Sequence, residues 1–354
     1  TDFEFDTSIL TPGAKLKGVN FSGKSLSGVE LEEADLSNAN LQGSNLSDTN
    51  LKKVNFRNAD LRSTNLSNAD LTGADLTGAN LAGAILTGVI LRECILRSAI
   101  FDKATITESD LGPVDFRGST LRGTVLQTSE MEGAILAGCD LTGANLEGAN
   151  LTKANLTRAK LVGANLTGAN LTEANLMETD FTDAIISSAD LSKATAPCAI
   201  FKGAIFESSN CRLADFSNCD FTKTKASGAS FERTALTLAK MERFVGEGTV
   251  FEFADLRGVK MIDANFAHAN FVGASLLEAK ATACNLHEAD FYWAEMEAFV
   301  MTRCNTEGAR FPEKVKVAYG PKGVKPPNVK PVPLYRKAAT AAERKNLLEA
   351  VMEI

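Results

Sequence analysis

The chain has 354 residues, a net charge of −7 and a mean hydropathy of −0.05, with 44% hydrophobic but only 7% aromatic residues. No apolar run approaches the roughly 18 residues that a membrane-crossing helix needs, so a helical span is excluded and a soluble chain is expected. No phosphate loop of the form G-x-x-x-x-G-K-(S/T) occurs, and no Ser/His/Asp set can be assembled from the two histidines, so the common catalytic constellations are missing.

The sequence opens TDFEFDTSIL without an initiator Met. Thr1 is either the product of Met removal or the mature end left after a targeting segment is cut. Residues 1–13, with Phe3, Phe5, Ile9 and Leu10, are expected to form an N-terminal cap.

From Leu16 to Phe311, stepping by five lands on Leu, Phe, Ile or Met almost every time, giving 60 words without a slip of register. Two positions before each large residue the side chain is small, as at Ala74, Ala144, Val89, Ser109 and Thr124. One position before it, Asp or Asn recurs, as at Asp70, Asp75, Asn150 and Asn155. Two positions in five therefore face inward. A helix needs apolar residues near every 3.6 and an open strand every 2, so a strict period of five excludes both. Frequent Gly, Asn and Asp favour turns over long helices. Short extended pieces joined by tight turns, a solenoid, are what remains.

The word A-(D/N)-L-x-x, repeated in ANLTGANLTEANL from Ala164 to Leu176, resembles the signature of the pentapeptide-repeat family over residues 14–311. The resemblance implies an all-β, right-handed quadrilateral parallel β-helix with four words per coil. Residues twenty apart then stack about 4.8 Å from one another, and 15 coils make a rod on the order of 70 Å long. A core that thin holds no pocket of catalytic size and implies no cofactor. The Asp residues beside the large centres occupy the family's turn-forming position.

With four words per coil, every outward residue has a side. On the side centred by Leu26, Leu46 and so on to Thr306, the outward positions hold Asp48, Glu108, Glu147, Glu207, Glu247, Glu288 and Glu307 and no Lys or Arg. The opposite side holds Lys17, Arg57, Arg97, Arg117, Arg158 and Arg257 against Glu178, Glu278 and Glu297. An acidic and a basic side are expected. Fluoroquinolone-resistance members of the family resemble B-DNA and occupy type II topoisomerases (gyrase). Seven acids along about 70 Å are sparse beside the one charge per about 1.7 Å of duplex DNA, so mimicry is the second reading, and direct nucleic-acid binding is not expected. His268 and His287 fall on the acidic side in adjacent coils, with Glu288 stacked over His268 and Glu307 over His287. These four could hold a divalent metal, or could simply be solvated neighbours, and no metal is assigned to them.

Five cysteines (Cys94, Cys139, Cys219, Cys284 and Cys304) fall at the small inward position, Cys211 is a centre and Cys198 points outward. They read as core residues, and the parallel direction of the stacked Cys284 and Cys304 disfavours a disulfide. Gly246 replaces a centre while Phe244 fills the preceding small site, an exchange of volume within one layer. Phe299 sits at another small site beside Met301. Lys24 is a charge at an inward position near the frayed start. Ala196, Ala226, Ala281 and Thr306 are underfilled centres where narrowed or distorted coils are expected.

Near the end, apolar residues appear at outward positions: Leu238, Phe253, Ile262, Val272, Leu277, Tyr292 and Trp293. Phe253, Val272, Tyr292 and Trp293 share one side, and Trp293 is the only Trp, which marks a contact surface. Residues 312–339 contain six prolines and read as an extended Pro/Lys-rich arm. Residues 340–354 carry a capping-box pair, Thr340 and Glu343, ahead of a Leu347, Leu348, Val351 and Ile354 stripe, predicting a short amphipathic α-helix. The basic arm either caps the last coil or binds a partner. The expectation is a non-enzymatic scaffold that binds one or more proteins, as part of a larger complex, through Phe253, Val272, Tyr292, Trp293, Tyr335, Leu347, Leu348 and Val351. Members of the family occur in the thylakoid lumen and in bacterial cytoplasm, so the resemblance chooses neither compartment nor oligomeric state.

Overall fold

The computed structural model describes residues 7–312 and, as backbone, residues 318–319. Phe3 and Phe5 of the N-terminal cap, nearly all of the arm with Tyr335, and the terminal helix with Leu347, Leu348 and Val351 lie outside the described residues.

Each word makes one side of a coil because its large residue opens a tight turn. The carbonyl of the centre accepts from the N–H three residues on, as from Ala39 to Leu36 at 3.1 Å. The second residue after the centre has a positive φ almost throughout, as at Gly73 (71°) and Lys153 (57°). Gly, Asn and polar residues recur there because a left-handed conformation is costly for β-branched or bulky side chains. The Asp or Asn before the centre caps the same turn: Ser37 N–H donates to Asp35 Oδ1 at 3.0 Å and Thr152 N–H to Asn150 Oδ1 at 3.2 Å.

Four such corners complete a coil. Parallel bridges join residues twenty apart, from Lys15 with Asp35 to Asp290 with Arg310. Leu16 N–H donates to Asp35 O at 2.8 Å, and Asp35 N–H donates back to Ala14 O at 2.9 Å. On one side of the later coils the bridges widen into short strands: β1 (Lys240–Glu242), β2 (Lys260–Ile262), β3 (Lys280–Thr282) and β4 (Val300–Thr302). They form a parallel sheet in sequence order, with Lys240 beside Lys260 and Lys260 beside Lys280. A fifth strand, β5 (Ala318–Tyr319), continues it with Val300 opposite Ala318, so the chain pairs once more after the array ends. A single 3-10 turn, Thr7–Ile9, precedes the buried Leu10.

Every centre from Leu31 to Met301, and from Ala34 on every residue two before one of these, is buried, forming one continuous core. Phe251, Phe271, Phe291 and Phe311 stack as a column with centroids 5.0, 4.7 and 5.1 Å apart, the spacing of paired strands. Phe244 lies over Gly246, where an added Cβ would meet its ring at 2.4 Å, so the volume exchange expected there is present. Phe299 and Met301 are buried, and Lys24 is exposed.

Three of the four underfilled centres keep the regular ladder, against expectation. Ala196 N–H still reaches Asp215 O, and Ala226 N–H Val245 O, each at 2.7 Å, and Ala281 lies within the regular β3. Large buried rings stand in the adjoining coils, Phe216 one coil after Ala196 and Phe206 one coil before Ala226. Among the described residues the ladder is interrupted once, between Ile95 and Asp115. Pro113 occupies the left-handed position of the intervening corner. It cannot adopt the positive φ of the other corners, two residues before Asp115.

Candidate interaction surface and ligand cluster

The corners that set each word also fix where its outward side chains stand. Of the seven acids on the first side, six are exposed and Glu147 is half-buried. Among the described residues none of the seven pairs with Lys or Arg; Asp48 accepts instead from Asn68 Nδ2 at 3.1 Å. The opposite side is less basic than its composition suggests. Arg57, Arg117, Arg158 and Arg257 pair with Asp75, Asp115, Glu178 and Asp255 at 2.6–3.0 Å. Such exposed pairs add little stability but cancel much of the local field. The Arg117 guanidinium donates from Nε and Nη2 to Asp115, as that of Arg62 does to Asp60, and these bonds hold both carboxyls below the usual range.

Two histidines and one carboxylate converge on the acidic side. His268 Nδ1 lies 3.1 Å from Glu288 Oε2, and His287 Nε2 lies 3.6 Å from Glu288 Oε1. The imidazole rings stand nearly perpendicular, at 79°, with centroids 5.5 Å apart. One ligand atom from each of the three residues falls within 4.8 Å of the others. Glu307 does not join this group. Its backbone carbonyl accepts from Glu288 N–H at 2.8 Å, and its own N–H donates to Asn305 Oδ1.

The apolar residues near the end are partly covered by one another. Phe253, Val272, Tyr292 and Trp293 are all half-buried. The Phe253 ring lies over Gly273, at 2.5 Å from where a Cβ would stand, so a glycine in the next coil makes room for it. Tyr292 and Trp293 stack at 4.8 Å, and the Arg310 guanidinium sits 4.2 Å over the Tyr292 ring while holding Asp290 at 3.2 Å. Leu238, 60% exposed, is the most open large apolar side chain described, and Ile262 is also exposed.

The cysteines follow their phase. Cys198 is exposed, Cys304 half-buried and the other five buried, all as free thiols. Burial pushes the Cys94, Cys139 and Cys211 thiols up to about 12. Cys284 and Cys304 stack in adjacent coils, where their thiols donate to Thr282 O and Ala281 O, each at 3.5 Å; the interaction between the two thiols pulls Cys304 down, to about 7, and pushes Cys284 up.

One set of contacts was not foreseen from the residues. At most small inward sites taken by Ser, Thr or Cys the side chain donates to a carbonyl 23 residues earlier, whereas Ser44 and Ser209 donate to the carbonyl three residues earlier. Thr64 reaches Leu41 O at 2.8 Å, Thr124 reaches Phe101 O at 2.9 Å and Cys139 reaches Phe116 O at 3.0 Å. The signal was present in the alternation of Ala with Ser, Thr and Cys, which share a size but differ in having a donor.

A coil of four turn-and-bridge words, closed by parallel pairing twenty residues apart, defines a quadrilateral β-solenoid. The description "Pentapeptide repeats" matches residues 13–112, 114–243 and 260–297, and the chain belongs to that family, whose fold is the right-handed quadrilateral β-helix. No curated protein sequence matches. Similar solved structures include HetL, a pentapeptide repeat protein involved in heterocyst differentiation regulation from Nostoc sp. strain PCC 7120. It is 26% identical over 72% of this chain and 90% of that one, with a TM-score of 0.26. QnrB1, a plasmid-mediated fluoroquinolone resistance protein, is 14% identical over 62% of this chain and 92% of that one, with a TM-score of 0.34. A pentapeptide repeat protein of the Arabidopsis thaliana thylakoid lumen is 24% identical over 39% of this chain and 69% of that one, with a TM-score of 0.16. Among the described residues no helix is long and apolar enough to cross a membrane.

Proposed function

We propose that this protein is a non-catalytic scaffold that docks another protein on the side of its last coils carrying Phe253, Val272, Tyr292 and Trp293. The carrying observation is the Tyr292–Trp293 stack with Arg310 over it, half-buried on a backbone bonded coil to coil. Aromatic and Arg side chains on a rigid support are the residues that dominate binding energy at protein interfaces. They lose little conformational entropy on binding because the ladder and the stack already order them. Tyr335, Leu347, Leu348 and Val351 of the tail belong to the same reading as further contacts.

The test is affinity capture from native extract with the full chain beside a Tyr292→Ala/Trp293→Ala variant. A complex recovered at defined stoichiometry by the parent and lost by the variant supports the reading. Equal recovery by both removes the aromatic patch from the argument. A type II topoisomerase recovered equally by both, and released by Glu→Gln changes at Glu108, Glu207 and Glu247, puts mimicry of DNA in its place.

A further inference from the structure

The triad on the acidic side has a geometry that ordinary surface neighbours do not require. A tetrahedral ion bound at 2.0–2.1 Å places its ligand atoms about 3.4 Å apart. Glu288 Oε2 stands 3.1 Å from His268 Nδ1 and its Oε1 3.6 Å from His287 Nε2, and one ligand atom from each of the three residues falls within 4.8 Å of the others. Both imidazoles therefore turn a nitrogen toward the same carboxylate.

The backbone presets this arrangement. His268 and Glu288 occupy the same left-handed corner in consecutive coils, with φ of 58° and 52°. His268 N–H donates to His287 O, and Glu288 N–H to Glu307 O, each at 2.8 Å. Behind the corner, Asn285 Nδ2 donates to Asn265 Oδ1 at 2.9 Å and Asn305 Nδ2 to Asn285 Oδ1 at 3.0 Å, locking three coils in register. The ligands thus stand on elements with little freedom left to lose.

Charge points the same way. The side bears no Lys or Arg at its outward positions, while Glu247 and Glu307 lie exposed in the flanking coils. Two imidazoles with one carboxylate select ions of intermediate softness over calcium or magnesium, which prefer all-oxygen shells.

We propose that His268, His287 and Glu288 form a surface site for a divalent ion of the zinc class, with three protein ligands and water completing the shell. The ion would link two consecutive coils, replacing the present imidazole–carboxylate contacts. This site is independent of the docking reading above, and either can fail without the other.

The test is calorimetric titration of the full chain with zinc chloride, beside His268→Ala and Glu288→Gln. One ion bound per chain, weakened at least about tenfold by either change, is the expected result. Substituting cobalt(II) in the unaltered chain gives a readout that needs no variant. Visible d–d bands without a thiolate-to-cobalt charge-transfer band are expected for nitrogen and oxygen ligands. No binding, binding unaffected by both substitutions, or a thiolate band from Cys304 would each overturn the proposal.

Discussion

Replacing Gly246 with Leu restores the regular word yet should destabilise the protein, because its space is already taken. A Cβ at that position meets Phe244 Cε1 at 2.4 Å and Thr249 Oγ1 at 2.9 Å. Phe244 is itself held on three sides, stacked on Phe266 at 5.4 Å and lying 6.3 and 6.4 Å from Phe221 and Phe251. Forcing a side chain into such a layer costs about 1–3 kcal/mol. Phe244→Ala alone empties the layer and costs about 3–5 kcal/mol. Independent effects would therefore sum to at least about 4 kcal/mol, whereas the double change Phe244→Ala/Gly246→Leu nearly conserves volume and should cost under about 1.5 kcal/mol. Solenoids need not unfold as one unit, so native-state hydrogen exchange is the appropriate assay. The local reporters are the amides of Val245, Gly246 and Asn265, which donate to Thr224, Asn265 and Phe244 respectively. Exchange free energies in the double variant as low as the sum of the singles would refute the argument.

Three further outcomes are expected. At the left-handed corners, Gly163→Asn should be nearly neutral, since nothing lies within 4 Å of its added Cβ, while Gly163→Val should cost more than 1 kcal/mol, roughly, in a chemical unfolding titration. Brief alkylation of the native chain followed by mass spectrometry should label Cys198 and Cys304 and spare Cys94, Cys139 and Cys211; uniform labelling would contradict their burial. Asp60 and Asp115, held low by Arg62 and Arg117, contribute stability that is fully present above the unfolded carboxyl value of about 3.9 and lost as pH falls through their lower folded values. An NMR titration should place both midpoints below those of unpaired aspartates, and the differences should shrink in Arg62→Lys/Arg117→Lys, which keep the charge and the backbone N–H but lose the bidentate geometry.

The five-residue phase of the sequence carried the coil, the core and the side on which each outward residue stands, because in a solenoid with one repeat length those are a single piece of information. The same phase placed His268, His287 and Glu288 together but could not show that the Glu307 carboxylate stays out of the cluster. Pairing was equally invisible: Arg57 and Arg257 point along the basic side, but whether they neutralise Asp75 and Asp255 depends on rotamers. The break at Pro113 was readable in principle, since proline stood where positive φ was required, but the period itself does not slip there and so conceals it. The Ala centres were misjudged because the word was weighed alone, while packing is decided with the words one coil above and below.

The twenty-residue bridge gives the chain an arithmetic of deletion. Removing four whole words, such as residues 141–160, rejoins Asp140 to Leu161 with every later side chain on its former side. Removing a single word turns all later coils by a quarter turn. The His268 cluster would then leave the side of the acids that precede the cut and the Trp293 patch would move onto it, although every word remained intact. For this molecule, the relation between its surfaces is therefore stored in the number of words separating them, and insertions are safe or disruptive according to whether that number changes by a multiple of four.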